Sequence, residues 1–381
     1  MSAARSGLDA GATPVVVLLG GPSAEHDVSL VSGRAIAAAL AARGHAVECW
    51  LIDLAGAWWQ LPREACDPAL PATAYDDPTA LGAQGPRGAG QVLAALAARR
   101  PAPVAWIALH GPFGEDGTLQ ALCDAAGLVH TGSGVAASAL GMDKSLFKRL
   151  VSALGMPVLP WLEIAAADQA GDPGAGLARL RAFAAGLPDR RLIVKPARLG
   201  SSIGMRIVHR PDGPELEEAL AEAFRYDDLA LAEAYLAGAR ELEVSVVGNG
   251  ARDLATYGPG EVFPGHEFYD YSAKYSAGVS RTTDRPELSE SMRRTVRELA
   301  ARAFLAIGAS GFARVDFLAR GDEVHISEIN TIPGFTPISL FPVLCAEGGY
   351  DFGGIAARIV ELAVEREAYR PRARLTRADL P

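Results

Sequence analysis

The sequence lacks what would tie a chain to a disulfide scaffold, a membrane or a nucleic acid. Its four cysteines, Cys49, Cys66, Cys123 and Cys345, are scattered over 381 residues, with no CxxC and no metal-type spacing. That excludes a disulfide framework and fits a reducing cytoplasm. Long hydrophobic runs are missing as well. The first, Val15–Leu19, is too short for a signal peptide or a transmembrane helix, and residues 1–13 are small and polar and read as a loose tail. Positive charge is in deficit: 36 basic side chains against 45 acidic ones leave a net charge of −9. A nucleic-acid partner is set aside on those electrostatic grounds, although a nucleotide can still bind through local basic groups. The GxGxxG fingerprint of dinucleotide sites is also absent.

What is present is ordinary globular material, 49% hydrophobic and 21% charged. The length exceeds one core and predicts two or three domains. The chain opens with PVVVLLGG, a β-branched run ending in paired glycines, followed by a loop holding Glu25 and His26 and an Ala-rich helix. A buried parallel strand, a glycine turn and a helix begin an α/β unit, whose ligands sit beyond the carboxyl ends of the strands. Val104–Leu109 repeats the pattern and ends at His110-Gly-Pro-Phe-Gly-Glu-Asp-Gly. Residues 62–103 read as a surface excursion without chemistry, helical over Gln91–Arg99. A boundary is expected near Thr131-Gly-Ser-Gly, then a helix from Lys144 through Leu154. Leu192–Pro196 should be a strand, leading into a hairpin with a glycine/serine tip. Exposed amides and hydroxyls on such a tip can wrap phosphates, with Lys195 as a cationic partner. Taken singly, Lys144 and Lys195 would be ordinary snorkelling lysines. Residues 229–248 read as two strands joined around Gly238 and flanked by Glu233 and Glu241. Residues 261–285 form a long polar and aromatic loop of the kind that makes a lid.

The densest signal is GFARVDFLARGDEVHISEINTIPGFTPISL, residues 311–340. Two apolar runs flank Arg320-Gly321-Asp322-Glu323, a β-hairpin pattern. A turn centred on Asp322 sets Asp316 opposite Glu328 and Arg314 opposite Asn330, all on one face. Val315, Phe317 and Ile329 would face a core. Hard oxygen ligands in small number are what Mg²⁺ accepts when phosphate and water complete its shell. A solvated face with a cross-strand ion pair is the plainer alternative; the Gly/Pro loop that follows Asn330 favours a site.

In order, GGPSAEHDVSLVSG, LHGPFGEDGTLQ, MDK, VKPARLGSSIGM, PGHEFYDYSAKY, ARVDF and SEINTIPGFTPIS closely resemble the D-alanine–D-alanine ligases of the ATP-grasp superfamily, from about residue 15 to about 365. The resemblance implies an α/β fold, α+β in its C-terminal part: an ATP-grasp fold with an N-terminal parallel-sheet (pre-ATP-grasp) domain. Expected boundaries are 1–132 for the N-terminal domain, 133–235 for the central subdomain and 236–381 for the C-terminal one. It implies phosphorylation of one D-alanine's carboxylate by ATP and attack by the amine of a second, in a cytoplasmic enzyme of peptidoglycan synthesis, commonly a homodimer.

Site roles are implied in the same way. Asp316, Glu328 and Asn330 would hold two Mg²⁺ (or Mn²⁺) ions, with K⁺ open as a further activator. Lys144 and Lys195 would reach the phosphates along with Ser201 and Ser202. Glu233, Tyr235 and Leu236 would meet adenine, Glu241 the ribose, and Phe268 and Lys274 also ATP. Arg314 and the Gly334 amide would stabilise the oxyanion, where losing one such donor costs about 10²–10³ in rate. Glu25, assisted by His110, would bind the first substrate's ammonium. Ser339 and the Leu340 amide would hold the second carboxylate, with Lys274 nearby. Glu25, Ser201 and Tyr275 would form a closing trio. Pro22, Pro337 and a hinge one residue longer than in some relatives depart from the family pattern. Three alternatives stay open: another ATP-grasp ligase, a ligase for D-lactate, D-serine or an antibiotic precursor, and a non-catalytic nucleotide sensor.

Overall fold

A computed structural model describes residues 13–263 and 281–369. They form three sheets, the first of order β4-β3-β2-β1-β5. Its strands are β1 Val15–Gly20, β2 Val47–Ile52, β3 Trp58–Gln60, β4 Gln84–Arg87 and β5 Val104–Ile107. β1 runs parallel to β2 and β5, while β3 and β4 add antiparallel to the edge. The unbroken apolar run of β1 follows from burial on both faces: every residue of the strand is buried. The second sheet, β6-β9-β7-β8, comprises β6 Trp161–Ala165, β7 Leu192–Pro196, β8 Arg206–Val208 and β9 Leu229–Ala234. The third, β12-β11-β10-β13-β14, comprises β10 Arg240–Gly248, β11 Ala255–Phe263, β12 Arg281–Thr283, β13 Gly311–Arg320 and β14 Glu323–Asn330. All pairings in these two sheets are antiparallel.

Each sheet has a core of its own, but two features cross the expected divisions. The terminal helix Phe352–Tyr369 buries Ile355, Ile359 and Leu362 in the core of the N-terminal sheet. Near its end, Arg366 donates to the carbonyls of His130 (2.7 Å) and Gly132 and to the Ser310 hydroxyl, stitching the first sheet to the third. The stretch 62–103 is more than a surface excursion, since it supplies edge strand β4 and buries Ala65 and Tyr75. The Tyr75 ring lies under the buried Arg34 guanidinium, 5.1 Å from its centroid. Its hydroxyl donates to the Ala65 carbonyl.

The hairpin β13–β14 pairs Arg314 with Asn330 and Asp316 with Glu328, as the spacing predicts, but by a different route. Its turn is two residues, Gly321-Asp322, closed by Arg320 opposite Glu323. That tight turn alone would pair Asp316 with Ser327 and point Glu328 away from Asp316. An extra residue, Ser327, bulges out between the pairs Phe317–Ile326 and Asp316–Glu328 and restores the face. Val315, Phe317 and Ile329 are buried on the opposite side.

Candidate active site

The carboxyl ends of neighbouring parallel strands β1 and β5 bring the two glycine-rich loops together. Ser23 donates to the His110 carbonyl (2.9 Å), and the Ser29 hydroxyl accepts the His110 amide (2.9 Å) while donating to the Glu25 carbonyl (2.9 Å). The Glu25 carboxylate is thereby held in a narrow slot. A Cβ placed on Gly111 would sit 2.6 Å from its Oε2, and one on Gly200 would sit 3.0 Å away. Glycine is required at Gly111 twice over, because its φ is also 77°. Glu25 Oε1 accepts from Ser201, whereas Oε2 is buried with no hydrogen-bond partner among the described residues. An unmatched buried carboxylate oxygen calls for a cation, and a substrate ammonium is of that kind.

Ser201 sits on the loop after β7, where Ser201 and Ser202 adopt φ of 52° and 57°. Consecutive non-glycine residues in the left-handed region store strain, as at many ligand clamps. This loop covers an open cleft. Lys144, Lys195, Glu233, Glu241, Arg314, Asp316 and Glu328 line it, with Ile193, Met205 and Leu318 as apolar wall. Asp143 caps the helix Lys144–Ala153, accepting the Leu146 amide at 2.9 Å, and so aims Lys144 at the cleft from a rigid helix start. The Lys144 ammonium donates to the Leu199 carbonyl (2.7 Å) and lies 3.2 Å from Glu328.

Glu233 is not open to a ligand on its charged end. Its carboxylate takes Lys148 on one oxygen and Lys195, at 2.9 Å, on the other. Burial pushes the Glu233 pKa up, but the two lysines outweigh it and hold the group charged. Lys195 is likewise pulled down by burial yet kept above its usual range by Glu233 and Glu328. Glu233, expected at adenine, lies in the cleft wall with its carboxylate held by two ammonium groups. Tyr235 and Leu236 follow in the link between β9 and β10; the Tyr235 amide donates to the Arg191 carbonyl at 3.0 Å. Neither residue is among those lining the cleft.

Arg314 binds both oxygens of Asp316 through one guanidinium edge, Nε to Oδ1 at 2.7 Å and Nη2 to Oδ2 at 2.6 Å. Burial opposes its charge, but Asp316 and Glu243 hold its pKa well above the usual value. Among the described residues no three His, Cys, Asp or Glu side chains converge as a metal cage. Asp316, Glu328 and Asn330 still suit Mg²⁺, which takes few protein oxygens where phosphate supplies the rest. Asn330 Oδ1 accepts the Ile332 amide at 3.0 Å, which fixes the start of the loop to Gly334. Ser339 turns its hydroxyl onto Thr336, accepting that residue's amide at 3.1 Å. The Leu340 N–H lies in the first turn of the next helix, where amides lack an intrahelical acceptor. Phe268, Lys274 and Tyr275 lie outside the described residues.

His110 does not touch Glu25 through its ring. Nδ1 is 2.9 Å from the Ile332 carbonyl, which can only accept, so Nδ1 carries the proton. Nε2 meets the Ser32 hydroxyl at 3.0 Å. Burial lowers the pKa of the ring against the pull of Glu25.

Two family models match the chain: the D-ala D-ala ligase N-terminus over residues 14–133 and the D-ala D-ala ligase C-terminus over 150–361. The chain belongs to the D-alanine–D-alanine ligase family. The ligase is 38% identical to the D-alanine–D-alanine ligase of Heliobacterium modesticaldum over 96% of this chain and 98% of that one. It is 39% identical to D-alanine–D-alanine ligase A of Bradyrhizobium diazoefficiens, over 93% and 96%. Among solved structures, the D-alanine–D-alanine ligase of Coxiella burnetii superposes with a TM-score of 0.76 at 29% identity, covering 93% of this chain and 95% of that chain. The VanG D-Ala:D-Ser ligase of Enterococcus faecalis superposes at 0.75 and 26%, covering 92% and 99%. These neighbours establish the ATP-grasp fold.

Three residues of the ligase site escaped sequence reasoning. Lys148 stands four residues after Lys144, hence on the same helix face. Glu243 stands two after Glu241, hence on the same strand face. Glu115 lies inside HGPFGEDG; it accepts the Gly111 amide (2.6 Å) and the Ile332 amide (3.2 Å), joining both loops from within. Burial and the charge of Glu25 push its carboxyl up to about 8.

Proposed function

We propose that ATP lies in the cleft between β7–β9 and the β10–β13–β14 face, with its terminal phosphate directed toward a first D-alanine anchored at Glu25. The activity follows from the family: the chain is an ATP-dependent ligase that joins two D-alanines through a D-alanyl phosphate, for peptidoglycan precursor synthesis. One observation carries the residue-level reading. Lys144, Ser201, Arg314, Asp316 and Glu328 line one cleft, and Ser201 at its rim bonds Glu25 from the loop after β1.

A carboxylate is a poor electrophile, so transfer of the γ-phosphoryl to one of its oxygens, with ADP departing, turns that oxygen into a leaving group. Such a transfer needs positioning and charge neutralisation more than covalent help. Lys144, Lys195 and the strained Ser201–Ser202 loop supply these at the phosphates. Glu241 takes the ribose, and Glu233 with the link at Tyr235 and Leu236 takes the adenine edge. Asp316, Glu328 and Asn330 would hold two divalent ions, Mg²⁺ or Mn²⁺, which would screen the phosphate charge. The second D-alanine, its carboxylate at Ser339 and the Leu340 amide, attacks the acyl carbon as a free amine. The oxyanion so formed faces Arg314 and the Gly334 amide, and phosphate leaves as the peptide bond closes. Lys274 serves the transferred phosphate, Phe268 the nucleotide, and Tyr275 the trio with Glu25 and Ser201, which shields the acyl phosphate from water. The three sheets, each with its own core, support a division into three domains. Among the described residues no helix is long and apolar enough to cross a membrane; a cytoplasmic homodimer is the working form, tested by light scattering.

ADP release with D-alanine, D-lactate, D-serine and L-alanine, singly and in pairs, tests the reading. D-alanine alone should sustain turnover. Turnover on L-alanine alone, or none on D-alanine, would overturn it. Preference for D-serine in the second position would move the chain to the alternative class.

A further inference from the structure

Three adjacent strands place three carboxylates in one row. Glu243 on β10 is opposite Asp316 on β13, which is opposite Glu328 on β14. The next row is Ser245, Arg314 and Asn330. Arg314 is thus diagonal to Glu243 on the same face, within reach for a long side chain. Its Nε lies 3.3 Å from Glu243 Oε2 while the guanidinium holds both oxygens of Asp316. Glu243 is buried and lines the same cleft.

This arrangement conflicts with Asp316 acting as a metal ligand. A carboxylate whose two oxygens both accept from a guanidinium is partly neutralised, and that cation would stand beside the incoming one. The guanidinium has to yield Asp316, yet it is buried and cannot be left without an anion. Glu243 is already in contact with it. We propose that Glu243 is a positioning residue that takes over Arg314 when Asp316 turns to a divalent ion, so that the guanidinium stays at the cleft wall, aimed at the reacting carbon. The inference rests on the metal-site reading above.

A double-mutant cycle on metal affinity tests it without recourse to turnover. Mn²⁺ binding to the ADP-loaded protein is followed by the EPR signal of free Mn²⁺ in the unsubstituted chain, E243Q, R314M and the double variant. E243Q is expected to weaken binding about tenfold where Arg314 is present, and by no more than about twofold where it is absent, a coupling of the size found for contacting charged pairs. Equal losses in both backgrounds would mean that Glu243 acts as a ligand or a bulk charge, and no loss in either would remove it altogether; both results overturn the inference. Failure of the unsubstituted chain to bind Mn²⁺ at all would sink the metal site first and the inference with it. A second measurement needs no folded variant. The Arg314 Nε–H resonance, followed by ¹⁵N NMR in the unsubstituted chain, should stay protected from solvent exchange on addition of Mg²⁺ and ADP. Loss of that protection would show that no acceptor replaces Asp316.

Discussion

Around Glu233 two lysines enclose one carboxylate; around Arg314 three carboxylates share two cations, Arg314 and Lys144. Both clusters line the same cleft, but the first is sealed and the second half-open. Side-chain exposure is 0% at Lys148 and 2% at Glu233, against 17% at Asp316 and 26% at Glu328. Their balances are opposite in sign, an excess cation at one end and an excess anion at the other. A nucleotide with its divalent ions needs that polarity, positive where phosphates lie and negative where metal lies. Burial then decides what each cluster does. The sealed cluster holds the neighbouring strands β7 and β9 and a helix together. A half-open one can let go of Arg314 or Lys144 and accept something else.

Substitutions can break that contrast in order of size. Glu328→Gln should lower ADP release by about 10³-fold, since screening of phosphate charge by a bound ion amounts to several kcal/mol. Its melting temperature should change little, and near-normal turnover would take Glu328 out of the metal set. Glu233→Ala strands two buried ammonium groups and should destabilise by about 3–5 kcal/mol in urea titration. A loss under 1 kcal/mol would mean that the sealed cluster is not structural. Ser201→Ala removes one bond to the Glu25 carboxylate; about 1 kcal/mol, or roughly fivefold in kcat/KM for D-alanine, should be lost.

The smallest effect sits at Glu115 and reads out against pH. Its carboxyl is pushed up to about 8 by burial and the charge of Glu25. A folded pKa above the unfolded one means that the folded state binds more protons between the two. The stability Glu115 contributes is complete below its ordinary value of 4.5 and is lost as pH rises through about 8. Melting curves from pH 5 to 8.5 should therefore fall more steeply in the unsubstituted chain than in Glu115→Gln. Parallel slopes would mean that Glu115 is charged throughout.

Much of this was legible because the hairpin's information is local. Alternation along β13 and β14 puts Arg314, Asp316, Glu328 and Asn330 on one face whatever surrounds them. Yet the register was reached through a three-residue turn that the chain does not use; a two-residue turn and the bulge at Ser327 arrive at the same pairs. The strands at Val15, Val104 and Leu192 were equally plain, since continuous apolar runs beside glycine have few other solutions. The partners of Glu233 were not plain. Lys148 is 85 residues away and Lys195 is 38 away, so only the packing of a helix against two strands brings them together. His110 shows the same limit: its motif marks it, but the carbonyl of Ile332, 222 residues on, decides what its ring does.

By itself the sequence determined the family and the class of chemistry, because those reside in residue types and short spacings that survive any arrangement of the sheets. Tertiary structure alone decided which charges are locked and which can change partners. That choice depends on desolvation and on distances between distant segments, and neither is written in local order along the chain.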